Sequence, residues 1–278
     1  MPGKYYGASA HAGLAQAPIA RGIRLLCTLF SLLLPSQANA EFPWLEYRSK
    51  IVEDHSNFYA GSSLAVMAVG FAGAVPLAYT DADRGIRNWY QDDIRSRGTD
   101  NFALFSKQFG EGYYLVPVIA TAWIAGNLTA DTLPGSVLAE WGENGLRSLM
   151  VGAPPMLFAQ LATGGSRPGE TEHNSAWRPF QDDNGVSGHS FMGAIPFITA
   201  AKMTDDPLGK AGLYFCSTWT GWSRINDNQH YTSQVLLGWM MAYMACTAVD
   251  RTNTTFRNYQ VVPLPMDDGL GMGVLYQY

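Results

Sequence analysis

Six apolar stretches, at 60–79, 113–129, 147–163, 190–203, 209–222 and 233–249, constrain what this chain of 278 residues can become. A half-buried strand alternates apolar and polar residues. These runs are instead continuous, rich in Ala, Leu, Met and Gly, and too long for ordinary strands. They predict helices, and a chain of this length can bury them around one substantial core. The expected fold class is all-α, a helical bundle.

Spanning a membrane takes about 20 consecutive apolar residues. Only 60–79 meets that length free of charge, and the last three stretches run to 14, 14 and 17 residues. Mean hydropathy is −0.05, low for a chain that crosses a bilayer many times. The expectation is a soluble exported domain in the periplasm. An inner-membrane protein with several transmembrane helices is the alternative.

The N-terminus supplies the export signal. Lys4, Arg21 and Arg24 precede LLCTLFSLLL at 25–34, and Pro35 and Ala38-Asn39-Ala40 follow. A charged start, a short apolar run and a small-x-small site predict a signal peptide over 1–40. The mature chain would begin near Glu41 with fifteen basic and twenty-three acidic residues, a formal charge of −8. Such a chain offers no basic stripe to nucleic acid, and any anion site must be built locally against the overall field. Cys27 lies in the leader. Cys216 and Cys246 sit in apolar stretches and read as buried free thiols, with a disulfide as the other arrangement that export permits. No Cys/His spacing of a metal site is present.

The remaining segments set the expected organisation: 1–40 signal peptide, 41–110 N-terminal helical segment, 111–258 core domain, 259–278 extended tail. FPWLEYRSKIVEDHSNFY reads as a surface helix or arm, and 80–112 as a capped amphipathic helix and a loop. There the Arg84–Arg97 cluster alternates with acids, as on a solvated face. A polar loop joins the third and fourth stretches. The tail NYQVVPLPMDDGLGMGVLYQY predicts a strand, a Gly-rich turn and a second strand.

Chemistry-bearing residues stand at the ends of the helices. Gln160 and Arg167 are two turns apart and share a face where helix persists, before Arg167-Pro168 stops it. Ser187-Gly188-His189 opens the fourth helix; Ser187 suits its N-cap, and the free N–H groups behind it suit an anion. Ser223-Arg224 is followed after five residues by His230, and four residues later by Gln234.

Arg-Pro, then Ser-Gly-His, then Ser-Arg-x5-His: this order resembles the type 2 phosphatidic acid phosphatase and vanadium haloperoxidase superfamily, in particular its bacterial acid-phosphatase-like members. The family runs Lys-x6-Arg-Pro, Pro-Ser-Gly-His and Ser-Arg-x5-His-x3-Asp, and the likeness extends over roughly 110–260, including FGEGYYLVP. The resemblance implies a bundle of the acid phosphatase/vanadium haloperoxidase type. It implies a phosphate cradle of Gln160, Arg167, Ser187, Gly188 and Arg224, with His230 as the nucleophile that forms a phosphohistidine. His189 would protonate the leaving alkoxide and later activate water, with no metal or other cofactor; vanadate would act as an inhibitor or, in the haloperoxidase alternative, as the cofactor. Planar guanidiniums and helix amides suit charge spread over three phosphoryl oxygens.

Three positions depart from that pattern. Gln160 replaces lysine and removes a full charge from the cradle. Val186 replaces proline. Gln234 replaces the aspartate, and its carbonyl can fix the His230 tautomer but cannot stabilise an imidazolium as a carboxylate does. Asp227 is a second candidate for that role. The resulting expectation is a phosphatase acting on a phosphomonoester or a lipid (pyro)phosphate, with membrane contact left open and no nucleic-acid partner. Two alternatives stand beside it: a degenerate member that binds phospholipid phosphate with little turnover, and a vanadium-dependent haloperoxidase. His55 and His173 read as surface residues, His173 near the entrance; Trp177, Phe180 and Trp222 read as packing.

Overall fold

The computed structural model describes the backbone of residues 44–266 and 269–276 and the side chains of 47–255. The predicted leader, with Cys27, lies outside the described residues. The described residues from Leu45 onward belong to one compact unit.

The described residues are all-α up to the last segment. Helix α1 spans Trp44–Phe58, α2 Gly61–Tyr79 and α3 Ala82–Trp89, and a π turn follows at Tyr90–Ile94. Next come α4 (Arg97–Ser106), a 3-10 turn at Lys107–Gly110, α5 (Gly112–Leu128) and α6 (Leu133–Thr163). A polar connection leads to α7 (Gly188–Lys202), α8 (Pro207–Cys216), α9 (Trp219–Asn226) and α10 (Thr232–Asn258). Strands β1 (Tyr259–Met266) and β2 (Gly269–Tyr276) then pair as an antiparallel hairpin, as the tail predicts.

Helix boundaries follow local chemistry. Ser96 and Thr99 form a reciprocal capping box that starts α4. Helix α6 begins 14 residues earlier than the apolar run suggests, because Thr132 caps it and Pro134 sits in its first turn. The stretch at 209–222 is two helices rather than one, broken at Ser217-Thr218.

Phe191, Ala194, Ile195 and Ile198 of α7 are fully buried. They share one hydrophobic cluster with Leu237, Met241, Ala242 and Ala245 of α10 and with Leu149, Val151 and Met156 of α6. These three helices form the centre of the bundle. Helix α1 is no free arm. Tyr47, Asp54 and Phe58 recur on one face and are buried, and Asp54 accepts a two-pronged bond from the enclosed Arg147 of α6 at 2.6 and 2.8 Å. Asn253 of α10 accepts from the same guanidinium at 2.8 Å. A buried guanidinium is tolerable only when partnered in this way. Both described cysteines are free thiols, and burial pushes the Cys246 thiol up to about 11.

Not every apolar face is covered. Among the described residues, α2 is the one helix long and apolar enough to cross a membrane, with mean hydropathy 1.6 and 17% of its span buried. Large apolar side chains of α5 and α6, among them Tyr113, Leu128 and Phe158, are also exposed.

Candidate active site

The residues singled out in the sequence come from three segments that meet where α7 and α10 begin. The polar connection after α6 carries Arg167. The helix stops earlier than Arg167-Pro168: it ends at Thr163, because Gly164 takes a left-handed conformation (φ 60°) whose N–H bonds to Gln160 O at 2.9 Å. A side chain at Gly164 would also collide with Arg178 O. Gln160 and Arg167 therefore share no helical face. Gln160 Nε2 donates to Val186 O at 2.8 Å, and a side-chain carbon at Gly188 would meet that nitrogen at 3.3 Å. The amide thus lies against the start of α7.

Ser187 caps α7, its Oγ accepting from Ser190 N at 3.3 Å. Its own N–H donates to Gln234 O at 2.9 Å, and Ser190 Oγ donates to Val235 O at 2.9 Å. Two helix starts are thereby bonded together. Gly238 permits the approach, since a side chain there would strike Ser187 O.

Around His230 the bonding fixes both the amide and the ring. Gln234 Nε2 donates to Ser166 O at 2.8 Å, so Oε1 faces the other way. Tyr231 N–H points at that oxygen at 3.0 Å, and His230 Nδ1 lies 3.0 Å from it. An amide oxygen only accepts, so Nδ1 carries the proton and Nε2 keeps its lone pair. Burial, with Arg167, Arg224 and His189 nearby, lowers the His230 pKa from 6.5 to about 3, although the Gln234 bond opposes the shift. Asp227 does not serve the ring; it stands 3.7 Å from Arg224 Nη1.

The cations are held by neighbouring amides. Arg167 Nε donates to Asn184 Oδ1 at 2.8 Å and Nη1 to Gln229 Oε1 at 3.2 Å. Arg224 is buried, and its Nε has no hydrogen-bond partner among the described residues. Burial lowers its pKa, with Asp227 pulling the other way. Leaving a buried charged N–H unmade is costly, and an anion would satisfy it.

His189 is half-exposed at the first turn of α7, and its Nε2 lies 3.3 Å from Glu111 Oε1. Burial and the charge of Arg224 lower the His189 pKa, while Glu111 raises it. Glu111 was legible only as part of FGEGYYLVP. Its meeting with His189 across 78 residues depends on packing. His173 is exposed and Trp177 packs edge-on to Phe71 and Tyr79; Trp222 packs on Tyr90 and Phe102. His55 is partly buried, with Nδ1 2.8 Å from Ile51 O. Phe180 is exposed.

The Arg84–Arg97 stretch is not simply solvated. Arg87 Nε donates to Asn228 Oδ1 at 2.7 Å, and Gln91 Nε2 donates to Ile225 O at 2.9 Å. The first bond reaches the loop that leads to His230 and the second the end of α9 just before it. Charge alternation alone could not reveal this, because it reports solubility and not which side chains turn inward.

Arg167, Arg224 and His189 lie near enough to His230 to depress its pKa, and the start of α7 is bonded to the start of α10 beside it, an arrangement whose charges and free N–H groups could hold an oxyanion. Residues 149–257 match the family model described as the PAP2 superfamily. This part of the chain is similar to the PAP2 superfamily. The PAP2 match covers every candidate residue from Gln160 to Gln234; α1 to α5, with Glu111, lie before it. The PAP2 superfamily has phosphatase-type activity as a class. No curated protein and no solved structure matches the chain.

Proposed function

We propose that this chain is an exported phosphatase that hydrolyses a phosphomonoester or a lipid (pyro)phosphate through a phosphohistidine on His230. The observation that carries this reading is the oriented ring of His230: Nδ1–H is held by Gln234 and Nε2 is unprotonated beside two arginines.

In the first step the Nε2 lone pair attacks phosphorus and the bond to the leaving oxygen breaks. His189 gives that oxygen its proton. Arg167, Arg224, Ser187, the Gly188 amide and Gln160 hold the three equatorial oxygens, where charge stabilisation matters most. In the second step His189 takes a proton from water, the hydroxide attacks phosphorus and the P–N bond breaks. Each step balances without a redox partner, and none calls for a metal. Vanadate, a phosphate mimic, is expected to occupy the cradle and inhibit.

Purified protein is expected to release inorganic phosphate from p-nitrophenyl phosphate or from phosphatidic acid in the presence of EDTA, and to be inhibited by vanadate. Absence of release from both substrates would sink the catalytic reading and leave a phosphate-binding member of the family. The same two substrates rank water-soluble esters against lipids.

The exposed faces of α2, α5 and α6 support contact with a membrane. Separating periplasm from membranes is expected to leave the protein on the membrane fraction until detergent is added. Recovery of all of it in the soluble periplasmic fraction would overturn the contact.

A further inference from the structure

We infer that the charged segment Ala82–Asp100, which lies before the family match, is the positioning element of the site: Asp83 sets the place of His230, and Gln91 with Tyr90 and Asp100 sets the place of Arg224. The inference rests on the phosphatase reading above for its kinetic consequence, but its structural content is separate.

His230 occupies a short loop between α9 and α10. A loop holds a side chain to catalytic tolerance only when its backbone and neighbours are tied down. Two sets of ties reach it from outside. Asp83 is buried in α3, and both of its oxygens accept from Ser233: Oδ1 from the backbone N–H at 3.0 Å, Oδ2 from the hydroxyl. It thus caps the start of the 27-residue α10 from another helix and places negative charge at the positive end of that helix. Ser233 lies three residues after His230 and directly before Gln234. Arg87, one turn along α3, holds Asn228 on the near side of His230.

The second set grips the other end of the loop. Gln91 Nε2 donates to Ile225 O and to Asn226 O, and Tyr90 Oη donates to Asn226 Oδ1 at 3.1 Å. Asn226 Nδ2 donates to Asp100 Oδ1 at 2.9 Å. Ile225 and Asn226 directly follow Arg224. One tie governs the nucleophile and the other governs a phosphate ligand, so their losses are separable. A displacement of the nucleophile by about 1 Å is enough to cost about a hundredfold in rate.

The test compares Asp83→Ala, Asp83→Asn and Gln91→Ala with wild type, reading kcat, the inhibition constant of inorganic phosphate, Tm, and the tautomer of His230 by ring ¹⁵N NMR. Asp83→Ala is expected to lower kcat by about tenfold to a hundredfold, with phosphate inhibition unchanged and a mixed tautomer at His230. Asp83→Asn is expected to recover most of the loss, because its amide keeps the oxygen that accepts Ser233 N–H. Gln91→Ala is expected to weaken phosphate inhibition more than it lowers kcat. Wild-type kcat and a pure Nδ1–H tautomer in Asp83→Ala overturn the inference. So does a parallel fall of kcat, phosphate binding and Tm, which marks local unfolding, and so does equal impairment by alanine and asparagine. If wild type itself releases no phosphate, the phosphatase reading fails, and the ring signals of the same variants decide the positioning role without turnover.

Discussion

Replacing His230 by alanine is expected to cut phosphate release by about 10⁴-fold or more, the scale of loss seen when a nucleophile that acts in concert with its neighbours is removed. The fold should survive. His230 is buried, but its removal leaves no orphaned acceptor, since Gln234 Oε1 keeps the Tyr231 N–H. Phosphate release from p-nitrophenyl phosphate, measured beside Tm, checks both halves. Retention of even a hundredth of the turnover would place the nucleophile elsewhere. The variant also carries a signature in pH. In the unfolded chain a histidine binds a proton near 6.5, whereas folded His230 resists it down to about 3. Between those values the unfolded state holds the extra proton, so stability falls as pH falls through that window. Alanine at 230 removes this share, and the acid-side decline of Tm should become shallower.

The second large effect is expected at Gln234. Glutamate at this position keeps the length of the side chain and supplies the carboxylate that the family pattern has as aspartate. The surroundings oppose the exchange. The amide nitrogen that donates to Ser166 O at 2.8 Å becomes an oxygen facing a carbonyl, and a buried acceptor left unmade costs about 1–3 kcal/mol. Meanwhile the new charge favours the imidazolium, so the His230 pKa should rise from about 3. Gln234→Glu is therefore expected to lower Tm and turnover, and to move the acid limb of kcat/KM to higher pH. The pH–rate profile and a ring titration of His230 by NMR measure this. A gain in turnover with an unmoved acid limb would show that the glutamine is a weakness of the site rather than fitted to it.

Gln234 shows how far residue order alone carried the reading. A side chain four residues after a histidine on a starting helix can reach its ring, and the bond to Nδ1 follows from that spacing. The grip on Ser166, 68 residues back, does not. The same division runs through the cradle. The helix cap at Ser187 was visible because capping is a property of a few adjacent residues. The stop of α6 was misplaced at Arg167-Pro168, since Gly164 already takes the left-handed turn and Gly165 and Ser166 carry the chain away.

Continuous apolar runs announced the bundle, and the order Arg-Pro, Ser-Gly-His, Ser-Arg-x5-His announced the family likeness, because both are encoded in neighbours along the chain. Asp83 on Ser233, 150 residues apart, and Glu111 on His189, 78 residues apart, are encoded in no such neighbourhood. They exist because α3 and the start of α5 pack where α7 and α10 begin. The alternation of charges around Arg84–Arg97 described a polar helix; packing turned Asp83, Arg87 and Gln91 of that region inward, onto the two ends of the loop that carries His230.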